Sequence, residues 1–335
     1  MTTLATSVRA RSNLLVPGLL MSIVVAAAAT FLADHYHAPV MLFALLLGMA
    51  VNFLSADGKC KPGIEFTSRE VLRVGVALLG MRLTFSQIAA LGWHPVVLVV
   101  GSVILTILVA MLAARAMGFQ TLFGLLTGGA TAICGASAAL ALAAALPAHP
   151  GKERATLFTV IGVSALSTMA MIVYPMVVQL FGLDPTQAGM FLGGTIHDVA
   201  QVVGAGYGMS QQTGDTATVV KLMRVAMLLP VIVCAVMISR GRGGEQGGKR
   251  PPLLPWFAVG FIVLAALNST GWIAPSVQTF ANDLSRWCLV IAISALGMKT
   301  QLKELASVGL KPIVLMVGET VFLAALVLGL LRWGL

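Results

Sequence analysis

An internal repeat constrains this chain more than any other feature of its sequence. Residues 68–101 contain Ser-Arg, then Leu-Gly-Met-Arg, then Gly, Pro and Gly, and the same pattern returns without a gap at 285–318 with Lys in place of the second Arg. Pro39 and Asn52 also return, as Pro255 and Asn268, with an offset that is shorter by one residue. The repeated unit covers three consecutive apolar segments, about 39–105 and 255–322. Repeats of this kind within a membrane protein are typical of transporters.

The composition places most of the chain in a lipid bilayer. Of the 335 residues, 58% are hydrophobic and 10% are charged, and the mean hydropathy is +0.96. This leaves too little polar surface to cover a water-soluble fold. Nine apolar runs have the character of membrane spans, at about 14–32, 40–54, 71–83, 96–117, 157–181, 219–238, 253–267, 284–298 and 312–331. Two further apolar segments, 122–146 and 188–209, are broken by glycine, which gives eleven in all.

The basic residues predict how the chain is threaded. Cytoplasmic loops carry an excess of Lys and Arg, and this places the N-terminus inside and explains the formal net charge of +9 without a nucleic-acid partner. If both glycine-broken segments crossed fully, the loop with Lys152 and Arg154 would lie outside and Asp184 inside, the wrong way for both. If each segment instead enters and leaves the membrane on one side, the two from opposite faces, the Lys152 and Arg154 loop lies inside and Asp184 lies outside, as the charges require. The second copy of the repeat is inverted under either threading.

We therefore predict an all-α integral membrane protein, an inverted-repeat bundle like those of secondary transporters. It should have about nine spanning helices plus the two glycine-rich re-entrant or broken helices. The glycine-rich and charged stretch that follows residue 240 is the natural linker between the halves. The predicted segments are an N-terminal helix at 1–38, a first half at 39–181, the second broken element and its following helix at 182–240, a cytoplasmic linker at 241–252 and the inverted copy at 253–335.

The first broken element predicts an anion site. Gly128 and Gly129 are the predicted hinge, and a helix should restart near 135–137, because an unbroken run of alanine and leucine follows. A helix N-terminus carries free N–H groups and the positive end of a dipole, which suits an anion. The predicted substrate-binding residues here are Thr131, Cys134, Gly135 and Ser137.

The second broken element holds the densest polar cluster in any apolar segment. After the predicted hinge at 193–194 come Thr195, His197, Asp198 and Gln201. Ionisable residues at membrane depth are costly and usually functional. We expect Asp198 to take up a proton or a cation as the coupling step, with His197 as its partner or as a donor to the substrate. Thr195 and Gln201 are expected to bind substrate with it. The alternative is a solvated pair at the membrane surface that only caps a helix.

Three further charged residues lie within apolar segments. Lys221 and Arg224 are three residues apart on one helical face, where they would line an anion pathway or anchor the helix at the interface. Glu319 lies about eight residues into the last helix, where the first copy has Ser102. It is a second coupling candidate, with a structural hydrogen bond between helices as the alternative. The four cysteines are scattered, and their spacing predicts neither disulfides nor a metal site. No cofactor is expected.

Several motifs resemble those of the YeiH family of bacterial membrane proteins: GGATAICGASAA at 128–139, GGTIHDVAQVVGAG at 193–206, and LGMR and LGMK at 79–82 and 296–299. The similarity runs over nearly the whole chain. It implies a multi-pass protein of the bacterial inner membrane, grouped among proposed sulfate exporters, with sulfate or a related oxyanion or sulfonate as substrate. The residues themselves would suit a carboxylate equally well.

The leading hypothesis is a secondary transporter in which the two broken elements meet near the bilayer midplane. They would bind a small anion and alternate its exposure by movement of one bundle against the other. No Walker loop is present to indicate ATP drive. Protons are the first expected coupling ion and sodium the second. Beyond the surrounding lipids, a second copy is a plausible partner, because small residues crowd several helices.

Two other functions fit the same residues. The segment from Gly135 to Ala138 resembles the Gly-x-Ser-Gly nucleophile motif of rhomboid intramembrane proteases, with His197 as a base, although alanine replaces the last glycine. An intramembrane serine hydrolase is therefore one alternative. An anion channel is the other, because broken helices also build pores.

Overall fold

The computed structural model describes residues 2–36, 39–56, 58–146, 151–240, 256–300 and 310–333, and within these ranges every regular element is helical. A π-helical turn (Thr67–Val71) and a 3₁₀ turn (Leu79–Arg82) flank α5. The α-helices are α1 (Thr2–Tyr36), α2 (Val40–Ala50), α3 (Phe53–Ala56), α4 (Lys61–Phe66), α5 (Leu72–Leu78), α6 (Phe85–Ala90), α7 (His94–Ala116), α8 (Thr121–Ala132), α9 (Ala136–Ala145), α10 (Lys152–Leu180), α11 (Pro185–Thr195), α12 (Val199–Met209), α13 (Gln211–Ala226), α14 (Leu228–Arg240), α15 (Trp256–Ser269), α16 (Pro275–Lys299) and α17 (Leu310–Trp333). The predicted all-α fold is confirmed.

Five helical stretches are long and apolar enough to cross a membrane. The other predicted spans form shorter helices, such as α2 and α15, or lie in the more polar α16. The five stretches are Leu14–Tyr36, His94–Ala116, Lys152–Leu180, Gln211–Met237 and Leu310–Trp333. The predicted linker at 241–252 lies outside the described residues.

The chain forms two compact units, each built from two stretches of sequence. Unit 1 comprises Met1–Ala90 and Trp256–Gln301, and unit 2 comprises Leu91–Pro255 and Leu302–Leu335. Each copy of the repeat contributes its first two apolar segments to unit 1 and its third to unit 2. The third segments are α7 and α17.

Packing inside unit 1 reproduces the repeat. A Cβ on Gly80 would overlap the carbonyl oxygen of Phe261, and a Cβ on Gly297 would overlap that of Leu45. Gly80 and Gly297 are equivalent in the two copies, as are Leu45 and Phe261. Each copy therefore packs on the other through the same close approach, which glycine permits because it has no side chain.

In unit 2 the first broken element folds back on itself. A Cβ on Gly129 in α8 would overlap the side chain of Leu142 in α9. These residues lie on opposite sides of the break, so a straight continuation would hold them about 20 Å apart. We call α8 and α9 together hairpin 1.

The second broken element also folds back. Gly189 lies against Thr213 and Thr216, and Gly193 lies against Ala217 and Val220, so α11 runs parallel to α13. Gly206 lies against Gly214, so α12 runs antiparallel to α13. The Thr213 hydroxyl also donates to the carbonyl of Pro185 at 3.2 Å, which brings the start of α11 beside the end of α12. We call α11 and α12 hairpin 2, and its two ends lie on one side.

The hairpins open at opposite ends of unit 2. Helix α10 leads from the end of hairpin 1 to the start of hairpin 2, and its 29 residues extend about 43 Å. Helix α17 runs parallel to α10, since Met316 meets Gly162 and Arg332 donates to the carbonyl of Phe181 at 3.5 Å. Helix α7 ends where hairpin 1 begins, so α7 and α17 run in opposite directions, as an inverted repeat requires.

Alanine substitutions at equivalent glycines test the reciprocal packing. Gly80→Ala and Gly297→Ala should each lower the melting temperature of the purified protein, because overpacking costs about 1–3 kcal/mol. Gly101→Ala and Gly318→Ala are matched controls: they are also equivalent in the repeat, and a Cβ there would meet nothing within 4 Å. The controls should melt at or slightly above the wild-type temperature, because alanine favours helix. Equal effects at all four positions would contradict the packing.

Candidate functional site

The break in hairpin 1 is set by one glycine. Helix α8 ends at Ala132, and Gly135 has φ 63° and ψ −128°, a conformation that L side chains rarely adopt. The N–H of Gly135 donates to the carbonyl of Ala130 at 2.8 Å and closes α8. Helix α9 then begins at Ala136, as the sequence predicted.

The break in hairpin 2 is extended backbone. Ile196 (φ −64°, ψ 135°) and Asp198 (φ −102°, ψ 147°) leave the helical region between α11 and α12. Asp198 is the N-cap residue of α12, and its backbone N–H donates to the hydroxyl of Ser167 on α10 at 3.0 Å.

The glycine pairs predicted as hinges do not form the breaks. Gly128, Gly129, Gly193 and Gly194 all lie inside α8 and α11, a few residues before the chain leaves the helix. They instead mark close approaches, for example that of Gly128 to Ala110 on α7. Glycines have no side chain and therefore allow helices to pack tightly in a membrane, which is why these pairs lie within helices and not at the breaks.

Lys221 joins the tips of both hairpins. Its ammonium donates to the carbonyls of Ile133 in hairpin 1 (2.7 Å) and Ile196 in hairpin 2 (3.0 Å), and to that of His197. The side chain is fully buried. An ammonium has three donors, so all of them are used.

Arg224 lies one turn further along α13 and also binds the tips of both hairpins. Its Nε donates to the carbonyl of Ala132 at 2.7 Å and its Nη2 to that of Thr131 at 2.9 Å, both in hairpin 1. Its Nη1 donates to the carbonyls of Gly193 (3.0 Å) and Ile196 (3.1 Å) in hairpin 2. It too is fully buried.

Together these two residues, which we call the tip cations, bind three carbonyls from each hairpin. These carbonyls lie at the C-terminal ends of α8 and α11, where the helix dipole is negative and the backbone lacks helical partners. Complete burial does not fit an anchor at the membrane interface. The predicted anion pathway along this pair stays a prediction, and the bonds found here are to protein backbone.

The ring of His197 lies between hairpin 1 and α17. One ring nitrogen, Nδ1, lies 3.0 Å from the carbonyl of Thr131, and the other, Nε2, lies 3.0 Å from the hydroxyl of Thr320 on α17. A carbonyl only accepts, so Nδ1 carries a hydrogen. The hydroxyl of Thr320 has one hydrogen, which it donates either to the carbonyl of Met316 at 2.8 Å or to Nε2 of the neutral ring. A charged ring donates from Nε2 to Thr320.

Glu319 is held by hairpin 1. Its carboxyl oxygens accept from Thr127 at 2.7 Å and from Thr131 at 3.1 Å, and the side chain is buried. Within the described residues no basic side chain forms an ion pair with it. Thr131 thus touches Glu319 through its hydroxyl and His197 through its carbonyl. We call Thr127, Thr131, His197, Glu319 and Thr320 the α17 network.

A second group of polar residues gathers at the N-terminal ends of α9 and α12. Ser137 is exposed in the first turn of α9. A Cβ on Gly135 would lie 3.4 Å from the carboxyl carbon of Asp198, so this partly buried carboxyl lies against the start of α9. Gln201, in the first turn of α12, is 1% exposed and donates to Thr168 at 3.4 Å. Its Oε1 has no hydrogen-bond partner in the described part of the chain.

We call Gly135, Ser137, Asp198 and Gln201 the N-terminal site. Of the remaining predicted site residues, Thr195 donates to the carbonyl of Phe191 at 2.6 Å in its own helix, and Cys134 is a buried free thiol. No group of three His, Cys, Asp or Glu residues that would suit a metal ion occurs in the described ranges.

Four hydroxyl residues of the site were absent from the prediction: Thr127, Ser167, Thr168 and Thr320. Threonines 127 and 131 are spaced i, i+4 on α8, which places them on one helix face. That spacing was an available clue. Ser167, Thr168 and Thr320 have no comparable pattern.

Comparison with known proteins assigns the chain to a family. The family model described as Conserved hypothetical protein 698 matches residues 17–316. UPF0324 membrane protein CT0845 of Chlorobaculum tepidum is 59% identical over 95% of this chain and 89% of its own length. UPF0324 membrane protein TauZ of Paracoccus denitrificans is 55% identical over 93% of both chains, and RB0971 of Rhizobium meliloti is 49% identical over 93% of this chain and 91% of its own.

No solved structure matches the chain with statistical significance. The sequence relatives are nevertheless similar over almost their whole lengths, and their names agree with the apolar helices described above. The chain is a membrane protein that belongs to the UPF0324 (YeiH) family.

Proposed function

We propose that the protein is a secondary active transporter of a small anion, with sulfate or a related oxyanion or sulfonate as substrate. The observation that carries this proposal is the meeting of two hairpins from opposite ends of unit 2, with the N-terminal ends of α9 and α12 beside each other. Non-helical backbone at membrane depth is tolerated where it is buried in protein or lines a cavity. Broken helices that meet in this way are typical of transporter binding sites.

The depth of the site fits this function. Glu319 is the tenth of the 24 residues of α17, about 14 Å from the start of that helix. A helix that crosses the membrane would therefore hold the α17 network near the middle of the bilayer, whose hydrocarbon core is about 30 Å thick. A site at this depth is within reach of both sides.

The chemistry of the N-terminal site suits an anion. The start of α9 provides backbone N–H groups and the positive end of a dipole, with the exposed hydroxyl of Ser137 beside them. Gln201 adds a buried side-chain amide with unused hydrogen-bonding capacity. The negative ends of α8 and α11 point instead at the tip cations, so they do not oppose an anion here.

Asp198 links anion binding to protonation. Its carboxyl lies against the start of α9, so an ionised Asp198 and a bound anion would repel each other at close range. Anion affinity should therefore depend on the charge of Asp198. Protons are the proposed coupling ion, with sodium as the alternative, and Glu319 is the second coupling candidate. Export is the direction that the family resemblance implies.

The location follows from the same proposal. We place the protein in the bacterial inner membrane, with several spans and a cytoplasmic N-terminus. The positive-inside distribution of Lys and Arg supports this orientation.

The hydrolase alternative has weaker support from the geometry. A serine nucleophile needs a base within hydrogen-bond reach. Both ring nitrogens of His197 bond to residues other than Ser137, and His197 is fully buried whereas Ser137 is exposed. The rate of anion flux distinguishes a channel from a transporter, because flux through a channel far exceeds the turnover of a transporter.

Removing the Ser137 hydroxyl tests the anion site. Ser137→Ala should weaken sulfate binding in proteoliposomes about 10- to 100-fold, because a hydrogen bond to a charged group contributes about 1.5–3 kcal/mol. Radiolabelled sulfate uptake over a range of concentrations measures this. Ser294→Ala is the control, because Ser294 is buried and, among the described residues, its hydroxyl bonds only to the carbonyl of Val290 in its own helix. An unchanged affinity in Ser137→Ala would remove the substrate from the start of α9, and non-saturable electrogenic flux would favour a channel.

Asp198→Asn tests the link to protonation. Wild-type affinity for sulfate should rise as the pH falls, because protonation of Asp198 removes the repulsion. The amide variant should bind with an affinity that does not change with pH over the same range. A wild-type pH profile in Asp198→Asn would exclude Asp198 from this role. If neither the wild type nor any variant moves sulfate, the same assays with sulfonates and carboxylates decide the substrate class.

Glu319→Gln separates coupling from binding. The amide can still accept from Thr127 and can donate to Thr131, but it cannot exchange a proton. We expect the variant to retain substrate exchange at equal pH on both sides and to lose accumulation driven by a pH gradient. Ser102→Ala, at the equivalent position of α7, should retain both. Gradient-driven accumulation at the wild-type rate in Glu319→Gln would assign Glu319 a structural role.

A further inference from the structure

The tips of the two hairpins form a cage of carbonyl oxygens. Six carbonyls converge on the tip cations, three from the end of α8 (Thr131, Ala132 and Ile133) and three from the end of α11 and the following break (Gly193, Ile196 and His197). The carbonyl of Thr131 also accepts from Nδ1 of His197, and within the described residues the tip cations provide the hydrogen bonds of the other five. An unpaired carbonyl costs several kcal/mol in an apolar environment.

A cage of this kind is chemically a cation site. Unwound carbonyls and half-helix C-terminal ends are the groups that coordinate a coupling Na⁺ in transporters with broken helices. In this protein the positive charge comes from α13, through an ammonium and a guanidinium that are both fully buried. Lys221 directs its three bonds to three different carbonyls from the two hairpins, an arrangement that a small free cation would also adopt.

We propose that the Lys221 ammonium is a tethered cation in a latent site for a small monovalent cation, and that this site takes a free cation only when the ammonium is removed. The intact protein then has no vacancy for sodium between its hairpins. Arg224 holds the outer carbonyls and keeps the cage in shape. The tip cations are covalently attached charges that occupy the position where other transporters with broken helices bind and release a free cation.

One consequence rests on the proposed function. If the protein is a transporter, its transport cycle should run without sodium at the hairpin tips, which leaves protons as the coupling ion. The cage itself does not depend on that function, and it can be tested without any transport assay.

The test is the thermal stability of purified protein in different salts. Wild type, Lys221→Ala and Lys221→Met are melted in NaCl, KCl, NH₄Cl and choline chloride at equal ionic strength. Wild type should melt at one temperature in all four. Lys221→Ala should be destabilised in choline chloride and recover saturably with a small cation, by about 2–4 °C at ten times its dissociation constant. Lys221→Met should be destabilised without recovery, because its uncharged chain fills the space that a free cation would need.

Three results would overturn the proposal: a saturable sodium effect on the wild type, no recovery of Lys221→Ala in any of the small cations, or equal recovery of Lys221→Met. If Lys221→Ala cannot be purified even in NH₄Cl, the wild type decides alone, with equal melting temperatures as the supporting result. These melting temperatures do not change if the protein proves to move no anion, so failure of the cage and failure of the proposed function are distinguishable.

Discussion

The fold of unit 2 depends on how the backbone carbonyls at the two hairpin tips are satisfied. Each tip ends a helix in the interior of the protein, where an unpaired carbonyl is costly. Lys221 and Arg224 bind carbonyls from both tips at once, so they stabilise the two breaks and hold the hairpins together. Two buried charges are themselves expensive to desolvate, and the convergence of six carbonyls is what makes their burial tolerable.

This arrangement separates the negative C-terminal ends of the hairpin helices from the positive N-terminal ends. The negative ends of α8 and α11 are neutralised by side chains of α13. The positive ends of α9 and α12 remain beside Asp198 and the exposed Ser137. A single pair of breaks therefore produces a closed cationic centre and, next to it, a place that suits an anion. The α17 network connects the same tips to a buried carboxyl, so the groups proposed for substrate binding and for coupling lie on the same few turns of helix.

The sequence predicted the two hairpins and their opposite orientation because their causes are local. Glycine-rich sequence interrupts each segment, an alanine and leucine run marks the restart of a helix near 135–137, and the charges on either side of each segment indicate where its ends lie. The positions of the breaks were predicted less well, because glycine pairs at 128–129 and 193–194 serve close packing instead. The partners of Lys221 and Arg224 had no sequence pattern, since every residue carries a carbonyl. The contact of Thr127 with Glu319 joins positions 192 apart, and nothing in the local sequence marks it.

The most direct measurement is the sidedness of the four hairpin ends. Single cysteines at the exposed positions Gln120 and Glu153 for hairpin 1, and Gln179 and Gln212 for hairpin 2, are introduced into a cysteine-free protein. A membrane-impermeant maleimide is then applied from either side. Two opposed hairpins predict labelling of the first pair only from the cytoplasm and of the second pair only from outside. Labelling of the two ends of one hairpin from opposite sides would show that the element crosses the membrane and would contradict the account.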